Sequence, residues 1–268
     1  MANQTYSNFY LSNEVEDQFN SHLALQQFCT VDDTLEGTAG MKRSINVYRA
    51  TDGTEKLVMG AGNTKSIEVS LTNKEYEIAL AQNRFEYYDE EEMKDPNVVP
   101  VGMKHAGTDM FNTVNGDIYG EFNKTGVEIQ VSTFDFDAFV DASSALNVEN
   151  LENIQIFAFV CPKDMGKIRK ALKDDLKYVE SFARQGYVGT VAGVNLYTKK
   201  DATEGTVIVA TKEAVTMFIK KGTEVEQVTK NNRSETSANV RKNTIFSRKY
   251  YQVALTNESK AVKLTIGA

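Results

Sequence analysis

Val99, Met103, Ala106, Met110, Val114, Ile118 and Phe122 recur at intervals of three and four residues, and this stripe constrains the chain more than any other feature. Such spacing returns a side chain to one face of an α-helix at every turn, so it predicts a helix of about six or seven turns. Gly102, Gly107, Gly116 and Gly120 each weaken that helix by about 1 kcal/mol relative to alanine. A helix punctuated in this way is held by packing and is open to bending, and its methionines belong to a core face rather than a cofactor box.

The segments around the stripe have the other period. In "MKRSINVYRA" Ile45 and Val47 alternate with Ser44, Asn46 and Tyr48, and in "SIEVSL" Ile67, Val69 and Leu71 alternate with Ser66, Glu68 and Ser70, which predicts two half-buried strands. Between them, Asp52-Gly53 favours a tight turn, and Gly60 and Gly62 follow. Residues 41–71 therefore read as a long, exposed, hairpin-like excursion. "YEIALAQNRFEYY" is a further strand and ends in "DEEEMKDP", a run of acids read as a solvated face before the helix rather than a cation site.

After the stripe, strands and helices mix: a helix near 135–146, the continuous apolar strand "IQIFAFV", and a helix opened by Pro162 with Met165, Ile168 and Leu172 inward. The lysines on that helix, with Asp164, Asp174 and Asp175 beside them, read as a solvated face. Three β-rich stretches follow, "YVGTVAGVNLYTK", "TVIVATKEAVTMFIKKG" and "VEQV". "YYQVAL" and "AVKLTI" close the chain, with Asn257, Glu258 and Ser259 read as a hairpin turn between them. Residues 1–30 keep no sustained period and read as an arm, although they hold Tyr6, Phe9, Tyr10 and Leu11.

Composition removes several classes of function. The 268 residues are 41% apolar, enough for a sizeable core, and 30 basic against 37 acidic residues leave a net charge of −7, which disfavours an electrostatic grip on nucleic acid. The first residues lack a basic start and an apolar run, so the chain reads as soluble and untargeted. Cys29 and Cys161 stand far apart and read as packed thiols of a protein folded in a reducing cytoplasm; with His22 and His105 they offer no metal-ligand spacing.

"MGAGNTKS" at 59–66 invites a phosphate-loop reading, and the residues refuse it. That loop needs glycine immediately before its lysine and a helix after it, whereas Thr64 precedes Lys65 and an alternating strand follows Ser66. No nucleophile elbow, zinc-protease motif or calcium loop occurs either, so the sequence presents neither a catalytic site nor a cofactor site.

The order of arm, excursion, glycine-bearing helix, mixed α/β region and returning strands resembles the major capsid proteins of tailed bacteriophages, the Hong Kong bacteriophage capsid fold. "FVCPKDMGKIRKAL", "GYVGTVAGVNLYTK", "VIVATKEAVTMFIKKG" and "VRKNTIFSRKYYQVAL" carry the resemblance, through their order and spacing over nearly the full length. It implies an α+β fold with an N-terminal arm (1–30), an extended loop (31–72), a peripheral domain with a spine helix (73–125), a mixed α/β axial domain (126–232) and a return to the peripheral domain (233–268).

The resemblance also implies a function without catalysis: copies joined as hexamers and pentamers into an icosahedral head around double-stranded DNA. The partners would be portal, scaffold or decoration proteins of the virion, with assembly in the host cytoplasm and no membrane. Inter-subunit contacts would fall on Tyr6, Phe9, Tyr10, Asp52, Gly53, Lys56, Gly60, Gly62, Asn63 and Lys65. The chain has no room for the long scaffolding segment of some members, so a separate scaffold or another initiation route is expected. One member cross-links loop lysine to peripheral asparagine; Lys56 or Lys65 with Asn243 or Asn257 could take those roles, or be ordinary surface residues. An encapsulin-type bacterial compartment shares the fold, and a tail-tube or decoration protein would lack the long helix. An α/β enzyme or ligand-binding module would need a polar constellation that the sequence does not present.

Overall fold

The computed structural model describes residues 23–148, 154–173 and 189–267. A single 3-10 turn, Leu25–Phe28, leads into β1 (Thr30–Asp32); β2 (Lys42–Ala50), β3 (Val69–Glu77) and β4 (Ala79–Tyr88) follow, then α1 (Asp89–Lys94) and α2 (Val98–Asn123). Next come β5 (Glu128–Val131), α3 (Phe136–Ala145), β6 (Ile156–Val160), α4 (Pro162–Ala171), β7 (Thr190–Val191), β8 (Val194–Thr198) and β9 (Thr206–Thr211). The long strands β10 (Val215–Val228) and β11 (Lys242–Leu255) flank α5 (Glu235–Asn239), and β12 (Ala261–Ile266) ends the fold.

These strands form three sheets: β1-β10-β11-β4, β5-β12-β9-β6-β8-β7, and β2-β3 alone. The six-stranded sheet is covered on both faces. Ile156, Ala158 and Val160 of β6 point to one side, where Phe139 of α3 and Ile168 of α4 pack with Leu264. Phe157 and Phe159 point to the other, against Ile118 and Phe122 of α2 and Phe28. All five residues of β6 are buried, as its unbroken apolar run predicts for a strand between two layers. Both thiols are free and buried, and burial pushes Cys29 up to about 12.

The long helix forms as expected, 26 residues or about 39 Å. Its lower half carries the core, with Met110, Val114, Ile118 and Phe122 buried, while Met103 is 38% exposed. Of the four glycines in the stripe, Gly102 is the one packing demands: a Cβ there would lie 2.3 Å from the Phe85 ring of β4. The same addition at Gly107, Gly116 or Gly120 meets open space.

Several expectations are revised. The acidic run is itself α1, and it is not merely solvated: Glu91 is buried and its carboxylate accepts from the Tyr88 amide (3.1 Å), while Asp89 accepts from Asn243 Nδ2 (2.9 Å) and pairs with Arg233. "TMFIKKG" and "VEQV" are one strand, β10, because register shifts near Lys221 absorb the glycine instead of ending the ladder. β11 and β12 are no hairpin: β11 pairs with β10 and β4, whereas β12 lies between β5 and β9 in the other sheet. Strand alternation specifies a buried face, not the partner, so two neighbouring strands were free to part. β10 thus joins the four-stranded sheet although it falls within 126–232, and β12 joins the six-stranded sheet although it falls within 233–268. The expected arm already enters the core at Leu25, Phe28 and Cys29; a single turn is too short to show a period. Tyr6, Phe9, Tyr10, Leu11 and His22 lie outside the described residues.

Candidate functional site

The excursion is a two-stranded antiparallel ribbon whose register runs from Lys42↔Glu77 to Ala50↔Val69. Beyond it, Thr51 N donates to Glu68 O (3.0 Å) and Glu68 N to Thr51 Oγ1 (2.9 Å), extending the pairing by one rung. The reversal is made at Val58–Ala61, where Ala61 N donates to Val58 O (3.0 Å) and Gly60 has φ +87°, the arrangement of a type II turn. "MGAG" is therefore the tip, and Lys65 and Ser66 belong to the returning arm, with no helix N-terminus behind them.

Asp52-Gly53, expected to turn, does not. Gly53 is buried, and a Cβ on it would lie 2.6 Å from Ile67 Cγ1 and 2.9 Å from Ile67 N, so glycine is needed here for close approach of the two arms. Asn63 fastens them by donating from Nδ2 to Gly53 O (3.2 Å) and Lys65 O (2.6 Å). Thr64 donates to Glu55 from its amide (2.8 Å) and hydroxyl (2.7 Å), and these bonds hold the Glu55 carboxyl below its ordinary range. Asp52, Lys56, Gly60, Gly62, Asn63 and Lys65 are all exposed.

At its base the ribbon is clamped. Tyr76 stacks on Phe218 of β10 (5.0 Å between centroids), and Ile45, Leu35 and Tyr76 pack on Ile78, Phe218 and Ala254. Lys220 donates to Leu35 O (2.9 Å) and to Thr38 O, and Arg43 Nε donates to Asp32 Oδ2 (3.2 Å). Burial presses the Asp32 carboxyl upward, but the Thr34 bonds and Arg43 prevail and hold it low.

Above the clamp no other described residue covers β3 or the tip, which corrects the expectation of a half-buried strand there. Val58 is 78% exposed, Met59 fully exposed, and Ile67, Val69 and Leu71 are 62%, 65% and 55% exposed. The alternation is present, but a two-stranded sheet has no second layer of its own to bury it. Leu57, Val58 and Met59 form an exposed apolar tip whose signal in the sequence is an apolar triplet beside the glycines. Asn243, one of the asparagines weighed for cross-linking, is no surface residue: it is fully buried, with Oδ1 accepting from Arg233 Nη2 (2.6 Å) and Nδ2 committed to Asp89.

The described residues contain no cluster of histidine, cysteine or acid that could hold a metal ion, and no helix among them is long and apolar enough to cross a membrane. No family model matches the chain. The chain is 24% identical to the major capsid protein of Staphylococcus phage phiMR11, over 95% of this chain and 91% of that protein. Among solved structures, the capsid of cyanophage P-SCSP1u matches with a TM-score of 0.70 at 13% identity, over 97% of this chain and 92% of the other. Mycobacterium phage Che8 matches with a TM-score of 0.69 at 14% identity, over 98% and 96%. The solved structures establish that the chain has the fold of phage capsid proteins, and the sequence relative that resembles it over nearly its whole length is a phage major capsid protein.

Proposed function

We propose that this chain is the structural subunit of an icosahedral phage head, assembling with copies of itself as hexamers and pentamers around double-stranded DNA. One observation carries the reading: among the described residues the β2–β3 ribbon has two unpaired edges and an exposed apolar row on β3, and is fastened at its base alone. In a lone monomer such edges invite aggregation; a neighbouring copy laid against them makes them an interface.

The four-stranded sheet with α2 serves as the peripheral domain, and the six-stranded sheet with α3 and α4 as the axial domain. Asp52, Gly53, Lys56, Gly60, Gly62, Asn63 and Lys65 make inter-subunit contacts together with Leu57, Val58 and Met59, and Tyr6, Phe9 and Tyr10 make others. Portal, scaffold and decoration proteins complete the partner set, with the packaged DNA held inside the shell without tight binding. An encapsulin-type compartment is the weaker reading, because the sequence relative is a phage protein.

Negative-stain microscopy of the expressed chain, alone and with the neighbouring proteins of its virion, tests this. Closed shells or hexameric rings are expected, and a monomer under every condition overturns it. Within the loop, Gly60→Val and Gly53→Val should abolish shells while leaving the subunit folded. Gly62→Val should be tolerated better, since Gly62 has an ordinary φ and open space around it.

A further inference from the structure

Charge on the helical layer over the six-stranded sheet is sorted by helix. α3 and α4 lie on the same face of that sheet, with Phe139 and Ile168 turned into its core. Asp137 and Asp141 stand four residues apart on the exposed side of α3, and Phe136 (49% exposed) and Val140 (37%) make an apolar row beside them. α4 carries the opposite sign. Lys163 and Lys167 are held by Glu204 (2.8 and 3.5 Å), and Lys167 also by Asp164 (2.7 Å), whereas Arg169 and Lys170 stand exposed further along the helix. No hydrogen bond or ion pair joins the side chains of Asp137, Asp141, Arg169 or Lys170 to another described residue.

The helix dipoles account for Asp137 in the first turn of α3 and for Arg169 and Lys170 in the last turn of α4. They do not account for Asp141, or for two large apolar side chains left side by side in solvent. Shape follows charge: Gly166, one turn before Lys170, leaves a notch in α4, since a Cβ there would meet nothing within 4 Å. A second copy that presented α3 to α3, or α4 to α4, would set like charges together, and one that presents α4 to α3 sets opposite charges together.

We propose that α3 of one copy seats on α4 of the next, Asp137 and Asp141 against Arg169 and Lys170, with Phe136 and Val140 over the Gly166 notch. The contact uses a different surface on each side, so it repeats from copy to copy and closes as a ring. One exposed ion pair contributes little, but the ring repeats the whole set at every junction. Ring closure rests on the shell reading above; the pairing of α3 with α4 of another copy does not.

Charge reversal tests it. Asp137→Lys/Asp141→Lys and Arg169→Glu/Lys170→Glu should each lower the yield of rings or shells about tenfold or more by negative-stain microscopy, and all four changes in one chain should restore it. Mixed in equal amounts, the two double variants should form hexamers of alternating copies by native mass spectrometry. Unaffected shells in either double variant, a fourfold variant no better than the doubles, or a mixture that stops at dimers overturns the assignment. So do normal shells of Arg169→Glu/Lys170→Glu that package less DNA, which would give α4 to the duplex instead. A wild type that forms neither rings nor shells removes the shell reading alone. The pairing is then read from an Asp141→Cys/Lys170→Cys variant treated with a short bismaleimide, Cys29 and Cys161 being buried. Products of two or more chain masses are expected, and monomer mass alone overturns it.

Discussion

β6, at the centre of the six-stranded sheet, and β3 of the ribbon both carry apolar residues that ask for cover, yet β6 is buried on both faces and β3 is exposed along almost its whole length. The difference lies in what the chain supplies as cover. Helices α3 and α4 close one face of the large sheet and α2 the other, so β6 has every residue buried. Among the described residues, the ribbon is covered at its root, where Ile45 and Tyr76 pack with Leu35 on Ile78, Phe218 and Ala254. A strand pattern therefore records that a face wants burial, and leaves open whether the same molecule provides it.

That comparison is sharpened by measuring where substitutions cost subunit stability. Phe159→Ala should be the most damaging, about 3–5 kcal/mol in denaturant unfolding, since it empties a site ringed by Phe28, Phe122, Phe157 and Tyr119. A cost below about 1 kcal/mol would mean that the double cover is looser than the burial implies.

The glycines of α2 come next. Gly102→Ala drives a methyl into the Phe85 ring and should cost about 1–3 kcal/mol, whereas Gly116→Ala enters open space and should gain up to about 1 kcal/mol. Thermal unfolding of the pair reads the contrast; equal effects would remove the packing argument for Gly102.

A pH effect follows at the Asp89–Arg233–Asn243 node. The Arg233 hydrogen bond holds the Asp89 carboxyl below its usual value. Its contribution is therefore present above the unfolded carboxylate pKa and is lost as pH falls through the depressed folded value, between about pH 4 and lower. Unfolding midpoints of wild type and Asp89→Asn should converge as the solution is acidified through that window. A constant difference between the two would break the assignment.

The smallest stability change belongs to the ribbon. Val69→Ser/Leu71→Ser should move subunit stability by no more than about 0.5 kcal/mol, because both residues face solvent in the single chain. The same variant should fail to form shells by microscopy. A large loss of subunit stability with assembly intact would reverse the comparison between ribbon and core.

Legibility in the sequence followed the length of each pattern. The seven-residue stripe of α2 and the unbroken run of β6 were both read correctly, because each repeats a period long enough to exclude the alternative. The DEEEMK helix was missed, since six residues of mostly acid carry no apolar period and depend instead on the N-terminal dipole and the Glu91–Tyr88 bond. The apolar tip at Leu57–Met59 was overlooked because exposed leucine, valine and methionine look the same in sequence as buried ones.

By itself, then, the sequence determined the elements, the protruding ribbon between two strands, and the failure of "MGAGNTKS" as a phosphate loop, all of them consequences of local spacing and backbone chemistry. Tertiary structure alone decided that β11 and β12 part company into different sheets, that Gly53 is a contact and Gly60 the turn, and that no other described residue covers Ile67, Val69 and Leu71. Those outcomes depend on which surfaces compete for each other across the fold, and pairing between residues far apart in the chain leaves no period to read.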